Sequence, residues 1–364
     1  MISNLFKYVT KHVDSFLMGC LVMTLVVGFA VLYSASGQDM DRIFSQSVNL
    51  IVALAFMWIA ANIPPQHLER IALPLYALGL LLLVGVALFG ELSHGARRWL
   101  HLGVAKIQPS ELMKIAVPMM LAWYFSKREE SLRFPDYLIA ALLLAIPVVL
   151  IVKQPDLGTA LLIAASGFYV LFLAGLSWKL LVGGGVLAGA SLPIFWSMLH
   201  DYQRKRIEIL FDPYQDPLGA GYHTIQATIA LGSGGIGGKG WLRGTQSQLD
   251  FLPERTTDFI FAVFGEEFGL VGNLLLLTLF TLIIARGLVI ASQAQNTFSR
   301  LLAGSVTLTF FTYVFVNMGM VSGILPVVGV PLPLISYGGT SLVTLLLGFG
   351  ILMSIQTHKK LVTT

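Results

Sequence analysis

Long apolar stretches separated by short polar segments dominate the pattern of hydrophobic and polar positions along the chain. A helix needs about 20 mostly apolar residues to cross the hydrocarbon core of a bilayer, and about ten stretches come near that length. The pattern therefore predicts about ten transmembrane helices, over residues 14–34, 44–63, 71–89, 110–126, 136–152, 158–176, 179–199, 258–286, 301–325 and 340–357. The expected fold is an all-α polytopic membrane bundle, with the whole chain, 1–364, as a single domain.

One long segment between the seventh and eighth stretches, about residues 200–257, is too polar to cross a membrane. It contains a charged run at 201–208, a proline-rich turn at 212–217 and a glycine-rich sequence at 232–240. The segment is too small for a core of its own. We therefore expect a large extracytoplasmic loop between helices 7 and 8, which covers the bundle as a lid or re-entrant element.

The basic residues near the two chain ends predict the orientation of the bundle. Lys7 and Lys11 precede the first stretch, and Lys359 and Lys360 follow the last. An even number of helices places both termini on one side, and flanking lysines favour the cytoplasmic side. The first stretch is longer than the apolar core of a signal peptide, about 7–15 residues, so we read it as an uncleaved span.

Composition agrees with this class of protein and narrows its partners. Hydrophobic residues make up 56% of the chain and charged residues 12%, whereas soluble domains carry about 25% charged residues. The formal net charge of +4 is small and dispersed, which argues against nucleic acid as a partner. The single cysteine, Cys20, lies in the first stretch, so there is no internal disulfide and no cysteine-based metal site.

Asp258 stands where the long polar segment ends and the eighth apolar stretch begins. A carboxylate at a membrane boundary costs a few kcal/mol, which makes it a candidate functional residue. Ala262, Gly265 and Gly269 follow on the same helical face, and small residues there let a neighbouring helix approach closely. We therefore expect Asp258 to point into the bundle, with Arg255 as its basic neighbour.

A basic and aromatic cluster, Arg97, Arg98 and Trp99, precedes the fourth apolar stretch. The predicted topology places this loop outside, where positive charge is unexpected, and binding of an anionic ligand would explain it. Trp99 fits two roles: an anchor at the membrane interface, or a wall for a sugar or lipid head group.

Three further ionisable residues lie at or near helix starts. Glu111 and Lys114 are three positions apart and share a helical face. They form either an intrahelical ion pair or part of a polar cavity, because an ion pair facing lipid is costly. Asp156 lies between the fifth and sixth stretches, where it can cap the following helix, bind a ligand, or do both.

The glycine-rich sequence 232–240 does not match a nucleotide-binding loop. Ser233 occupies the position of the first required glycine, and Gly240 follows Lys239 where serine or threonine is needed. Two interpretations remain: a flexible connector, or a backbone that wraps a phosphate together with Lys239 and Arg243.

Residues 323–339, between the last two stretches, are rich in proline and glycine. Irregular backbone at membrane depth is tolerated only inside protein or beside a cavity. We therefore predict a re-entrant wall of the functional cavity.

Five motifs in order along nearly the whole chain carry a family resemblance. They are Gly-Ala-Arg-Arg-Trp99, Gln-Pro-Ser-Glu111, Gln-Pro-Asp156-Leu-Gly-Thr, Glu-Arg-Thr-Thr-Asp258-Phe-Ile-Phe and Pro-Leu-Ile-Ser-Tyr-Gly-Gly-Thr. With them the chain resembles the SEDS family of shape, elongation, division and sporulation proteins. The short termini and residues 316–333 are similar to the rod-shape elongation branch rather than the division branch.

The resemblance implies a GT-C-like bundle in the bacterial cytoplasmic (inner) membrane that acts as a peptidoglycan glycosyltransferase. Such an enzyme polymerises lipid II on the periplasmic side during elongation, by an inverting transfer with undecaprenyl pyrophosphate as leaving group. The resemblance implies that Asp258 is the essential carboxylic acid residue of the family. Its position suggests that this residue acts as a general base. Residues expected to bind substrate or leaving group are Arg97, Arg98, Trp99, Glu111, Lys114, Asp156, Lys239 and Arg255.

The resemblance also implies a class B penicillin-binding protein transpeptidase as partner, alongside other membrane proteins of the elongation complex. A divalent cation, Mg²⁺ or Mn²⁺, is compatible with pyrophosphate as leaving group, but the sequence does not show one. Alternative functions are a lipid II flippase, the division paralogue with the same chemistry, and a non-catalytic scaffold. A flippase would expose head-group charges on both sides, whereas the candidates here cluster on the predicted outer face.

Overall fold

A computed structural model describes residues 11–93, 96–102, 105–129, 132–198, 201–217, 219–249 and 251–359. Each of the ten predicted stretches forms a helix, which confirms the polytopic helical bundle. These helices are α1 (Ser15–Ala35), α2 (Met40–Asn62), α3 (Pro65–Phe89), α4 (Pro109–Ser126), α5 (Phe134–Val152), α6 (Leu157–Leu173), α7 (Trp178–Met198), α11 (Ile260–Ser292), α12 (Thr297–Val321) and α13 (Gly339–Thr357). Within the described ranges, seven are long and apolar enough to cross a membrane.

Several helices begin earlier than their apolar stretches do. Asp39 caps α2 by accepting hydrogen bonds from the amides of Asp41 and Arg42, so α2 starts at Met40 rather than near residue 44. Asn296 caps α12 in the same way and accepts from the amide of Ser299. Such polar caps satisfy the free amides of the first turn, and they lie outside the apolar pattern from which the boundaries were predicted.

A small antiparallel sheet between α3 and α4 adds to the helical fold and was not expected from the sequence. Its strands are β1 (Glu91–Ser93), β2 (Ala96–Leu102) and β3 (Ala105–Ile107), in the order β1-β2-β3. Leu100 of β2 packs near Gly85 of α3, which fixes the sheet on the end of the bundle. The strands are short and interrupted by charged residues, so they leave no mark in a hydropathy pattern.

The predicted loop 200–257 consists largely of short helices. They are α8 (Asp201–Phe211), a 3₁₀ turn (Pro213–Gln215), α9 (Ala220–Ser233) and α10 (Thr245–Gln248). Helix α9 packs against α11 and, less extensively, against α12. The segment therefore lies on the bundle as a covering element, in agreement with the predicted lid.

The two ends of the described chain meet at one end of the bundle. The rings of His12 and His358 stack with centroids 4.1 Å apart, and Asp14 forms an ion pair with Arg286 of α11. Both ends of the described chain, residues 11 and 359, therefore lie near one end of the bundle, whereas the cytoplasmic placement of the termini stays a prediction. Lys7 and Lys360, which served to assign that side, lie outside the described residues.

Among the described helices, the most extensive packing joins α2 and α13, and Gly350 permits their close approach. A Cβ at Gly350 would lie 2.3 Å from the carbonyl oxygen of Met57. We expect Gly350→Ala to lower the melting temperature of the detergent-solubilised protein, by overpacking that costs about 1–3 kcal/mol.

Gly19→Ala of α1 is the matched control for this substitution, because a Cβ there meets no atom within 4 Å. An alanine inside a helix is favoured over glycine by about 0.5–1 kcal/mol, so we expect the control to keep or raise the melting temperature. Equal melting temperatures for the two variants would contradict the packing argument.

Candidate active site

Asp258 lies half-buried in the turn that leads into α11. Its backbone carbonyl accepts a hydrogen bond of 2.8 Å from the Asn317 side-chain amide of α12. Its carboxylate accepts no hydrogen bond from the residues that the structure describes, and Oδ2 lies 3.5 Å from the Cβ position at Gly329. The acid is thus held through its backbone. The side chain borders the irregular segment between the last two helices.

That segment, residues 322–338 (the α12–α13 connection), contains no regular helix, which confirms the predicted irregular backbone; its re-entrant position in the membrane stays a prediction. Asn317 donates a second hydrogen bond, of 2.7 Å, to the carbonyl of Val330. The Ser336 hydroxyl donates to the carbonyl of Thr257 at 2.6 Å. Gly329 adopts φ +75°, and its lack of a side chain keeps the space beside Asp258 clear. Hydrogen bonds therefore join the connection to the Asp258 turn.

Asp156 caps α6, as one of its two predicted roles requires. Its Oδ1 accepts from the amide of Thr159 at 3.3 Å. Its Oδ2 accepts from Gln108 Nε2 at 3.4 Å and lies 3.8 Å from Arg98 Nε. The residue as a whole is 7% exposed. At the start of α6, Asp156 therefore also contacts polar side chains from the sheet region.

The start of α6 touches the same connection that borders Asp258. A Cβ at Gly158 would lie 2.8 Å from the carbonyl oxygen of Val328, so only a glycine fits there without movement. Val328 precedes Gly329, which faces the Asp258 carboxylate. The start of α6, which Asp156 caps, and Asp258 thus lie beside adjacent residues of one backbone segment. The sequence alone could not show this convergence.

Glu111 and Lys114 form the predicted intrahelical ion pair, with Nζ to Oε1 at 2.6 Å. The Thr344 hydroxyl of α13 donates to Glu111 Oε2 at 2.9 Å, and Lys114 Nζ lies 5.3 Å from the ring centroid of Tyr313. Lys114 and Tyr313 also line a cavity of about 30 Å³ together with Thr309. The pair therefore lies inside the bundle and not toward lipid, and Lys114 borders a small cavity whose lining is mostly apolar.

Helix α12 connects the Lys114 pair to the Asp258 turn. Tyr313 lies next to Lys114, and Asn317, four residues later, holds the Asp258 carbonyl. Four residues of an α-helix rise about 6 Å. The two groups of charged residues are therefore separated by about one helical turn along α12.

Arg98 and Trp99 lie in β2, and successive side chains of a strand point to opposite faces. Arg98 Nη2 donates to the carbonyl of Pro155 at 2.6 Å, so this face is directed at the start of α6. Trp99 is on the other face and is half-buried. Arg97 belongs to the same strand, but its side chain lies outside what the structure describes.

The described contacts of Lys239 and Arg255 are with residues other than the predicted site residues. Lys239 Nζ donates to Glu266 Oε1 and to Thr245 Oγ1, each at 2.7 Å. Arg255 Nη2 lies 3.8 Å from the Cβ position of Gly37, in the turn between α1 and α2. These contacts do not join them to Arg98, Asp156 or Lys114. Substrate binding by Lys239 and Arg255 therefore stays a prediction.

Two charged residues that were not among the predicted site residues act on Asp258. Burial, followed by the Glu254 carboxylate, raises the pKa of Asp258 to about 6, and the Arg206 guanidinium opposes that rise. Arg206 belongs to α8, and it lines a crevice with Thr224 of α9 and Pro326 of the connection. The charged run at 201–208 was visible in the sequence, but nothing there indicated which of its charges faces Asp258.

Asn317 is a third residue that the sequence interpretation did not select. It is fully buried, and its amide bridges the carbonyls of Asp258 and Val330. A signal did exist, since an asparagine inside a long apolar stretch needs polar partners. With these neighbours, Asp258 presents a partly enclosed carboxylate that can accept a proton near neutral pH.

Comparison with known proteins identifies relatives over nearly the whole chain. Residues 14–361 match the cell cycle protein family that groups FtsW, RodA and SpoVE. The peptidoglycan glycosyltransferase MrdB of Escherichia coli K12 is 54% identical over 353 residues, which cover 97% of this chain and 95% of that protein. The probable peptidoglycan glycosyltransferase FtsW of Geobacter metallireducens is 36% identical and covers 98% of both chains.

Solved structures agree with the sequence relatives. A chain of a peptidoglycan synthase complex, described in terms of coordinated polymerisation and crosslinking, superposes with a TM-score of 0.82 at 35% identity, covering 94% of this chain and 97% of that one. The rod shape determining protein RodA of Thermus thermophilus superposes with a TM-score of 0.71 at 32% identity, covering 94% and 96%. The chain belongs to the FtsW/RodA/SpoVE family, that is, to the SEDS proteins.

Proposed function

We propose that this chain is a peptidoglycan glycosyltransferase that polymerises lipid II into glycan strands during cell elongation and rod-shape maintenance. The observation that carries the proposal is the half-buried Asp258, whose pKa of about 6 suits a general base. The names of its relatives supply the reaction class: MrdB, 54% identical, is a peptidoglycan glycosyltransferase. The similarity to a rod shape determining protein supports the elongation role.

In the proposed reaction the 4-hydroxyl of one sugar attacks C1 of another, and undecaprenyl pyrophosphate leaves. The Asp258 carboxylate takes the hydroxyl proton as the new bond forms, a contribution of about 10²–10⁴ in rate. A direct displacement of this kind inverts the anomeric carbon, so no second carboxylate is needed as a nucleophile. The Asp258 oxygens suit this role because no described residue donates a hydrogen bond to them.

Charge that develops on the leaving pyrophosphate needs positive partners nearby. Arg98 is a suitable partner, because its guanidinium lies beside Asp156, the cap of the helix whose start contacts the connection that borders Asp258. Arg206 reaches Asp258 electrostatically from the covering helix α8. We propose these two as the principal contacts, with Trp99 against a sugar or head group and Arg97 beside it in β2.

The Lys114–Glu111 pair and Asp156 are proposed to contact substrate from within the bundle. Lys114 retains ammonium protons beyond the one given to Glu111. Asp156 and Glu111 orient the neighbouring cations through the contacts described above. Lys239 and Arg255, also predicted to bind substrate, are the weakest members of the set, since their described contacts lie elsewhere.

Among the described residues, no three His, Cys, Asp or Glu side chains come together as a metal-binding group. Mg²⁺ commonly binds through substrate phosphates with one or two carboxylates, so Mg²⁺ or Mn²⁺ would rely on the pyrophosphate itself. The proposed proton transfer and leaving-group contacts are made by side chains of the protein.

The proposed setting is the bacterial cytoplasmic (inner) membrane, with both termini cytoplasmic and Asp258 on the periplasmic side. The lysines at the chain ends and the covering segment at the opposite end support that orientation. A class B penicillin-binding protein and other elongation-complex membrane proteins are proposed as partners. The similarity to a chain from a complex that couples polymerisation to crosslinking supports such a partner.

The first test replaces the proposed base. Asp258→Asn preserves size and removes the proton acceptor, so we expect glycan polymerisation from purified lipid II to fall by about 10²–10⁴ while the protein stays folded. Asp41→Asn, the same chemical change at an exposed position of α2, should leave polymerisation unchanged. Substantial polymer from the Asp258 variant would rule out the assigned base. Transfer of labelled lipid II across liposomes by the parent protein, without polymer, would favour a flippase.

The second test uses the pH dependence of polymerisation. Because the base must be ionised, we expect kcat/KM to be full above about pH 6 and to fall as pH drops through the raised pKa of Asp258. Glu254→Gln removes the neighbouring negative charge and should move this acid limb to lower pH. Arg206→Gln removes the opposing positive charge and should move it to higher pH. Shifts of both variants in the same direction would contradict the proposed electrostatics.

A further inference from the structure

Helix α11 is broken at Gly269, whose φ of +63° is non-helical. In an unbroken helix the amides of Leu270 and Val271 would donate to the carbonyls of residues 266 and 267. Here they donate instead to the carbonyls of Gly235 at 2.9 Å and Ile236 at 3.1 Å. The acceptors belong to the glycine-rich sequence 232–240, so another part of the chain replaces the intrahelical partners.

The carbonyls freed by the break are satisfied by the same segment. Glu266 accepts from the amide of Lys239, and Glu267 accepts from the amide of Gly240, both at 3.0 Å. Two intrahelical hydrogen bonds are thus exchanged for four bonds to the glycine-rich segment. This geometry fits neither a flexible connector nor a phosphate loop, because the backbone groups are committed to α11.

Three glycines make this close approach possible. A Cβ at Gly234 would lie 2.0 Å from the carbonyl oxygen of Gly265, and one at Gly238 would lie 2.1 Å from that of Glu267. A Cβ at Gly269 would lie 2.3 Å from the amide nitrogen of Gly238. Backbone therefore packs directly on backbone, and the segment is docked into the break without intervening side chains.

An ion pair between the partly exposed Lys239 and a fully buried carboxylate reinforces the docking. Glu266 has no solvent exposure, and its Oε1 accepts from Lys239 Nζ at 2.7 Å and from the amides of Thr245 and Gln246 at 2.8 and 3.0 Å. The neighbouring Glu267 is hydrogen-bonded to Ser34 of α1. The segment, α1 and the broken helix are thus tied together at one depth of the bundle.

We propose that residues 232–246 form a clamp that positions Asp258, with Lys239 and Glu266 as positioning residues. Residues 260–268, the part of α11 before the break, span about 13 Å and begin directly after the Asp258 turn. Asn317 holds the Asp258 end, and the clamp holds the Glu266 end. Because the break removes the support that a continuous helix would give, the clamp supplies it.

This inference rests on the proposed role of Asp258 as base. A displacement of about 1 Å at a reacting group can cost about a hundredfold in rate. Loosening the clamp should therefore lower kcat, because the base is misplaced. It should leave KM nearly unchanged, because the substrate contacts of Arg98 and Lys114 are carried by other elements. A clamp with only a structural role would lower the amount of folded enzyme and not its kcat.

Gly238→Ala is the sharpest test, because it opposes the docking without altering any charge. Gly235→Ala is its matched control: both glycines have positive φ, +77° and +55°, but a Cβ at Gly235 meets no atom within 4 Å. Polymerisation of purified lipid II is measured and normalised to the amount of folded protein. We expect Gly238→Ala to lower kcat by about tenfold or more and to keep KM within about twofold of the parent value. Gly235→Ala should stay within about twofold of the parent in both.

Lys239 provides an independent test of the same clamp. Lys239→Met should lower kcat with KM nearly unchanged, and Lys239→Arg should restore kcat, because arginine keeps the charge beside Glu266. A rise in KM at unchanged kcat would show instead that Lys239 binds substrate, and would overturn the positioning role. So would a parental kcat in folded Gly238→Ala.

Asp258→Asn, assayed in parallel, separates the two hypotheses. If that variant is inactive while Gly238→Ala keeps its kcat, the base assignment stands and the clamp proposal fails. If Asp258→Asn remains active, the base assignment fails first, and the clamp loses the residue that it is proposed to position.

Discussion

In an apolar environment, every backbone N–H and C=O that leaves a regular helix must find another partner inside the protein. The candidate site lies where this requirement is hardest to meet. The turn before α11, the break at Gly269 and the α12–α13 connection all interrupt helices at one end of the bundle. Asn317 donates hydrogen bonds to two of the carbonyls that lack a helical partner. The glycine-rich segment pairs with four backbone N–H and C=O groups at the break. These partners fix the irregular backbone on which the charged residues stand.

The sequence predicted much of this architecture because the physical signals were local. Apolar length gave the ten helices, and local spacing gave the Glu111–Lys114 pair and the Asp156 cap. Proline and glycine density gave the irregular connection. Signals that depend on tertiary partners were missed. The sheet around Arg98 needed pairing between strands, and the role of Arg206 needed the docking of α8 over Asp258.

The glycine-rich segment illustrates that limit most clearly. From sequence, its glycines indicated flexibility or a phosphate-binding backbone, since both uses of glycine are common. Their actual function is close approach: Gly234 and Gly238 place backbone against the carbonyls of α11. The prediction that the helical face through Ala262 and Gly265 points into the bundle was correct. It could not reveal that the helix is interrupted at Gly269, because a break supported by another segment leaves no local pattern.

The way Asp258 is held bears directly on the proposed chemistry. A carboxylate anchored by hydrogen bonds to its own oxygens is stabilised in its ionised form and is a weaker base. Here the anchors act on the backbone, through Asn317 on the Asp258 carbonyl and through the clamp beyond residues 260–268. Burial and Glu254 then raise the pKa while Arg206 limits the rise. Fixing the backbone and leaving the carboxylate to the substrate combines a defined position with a basicity suited to proton transfer near neutral pH.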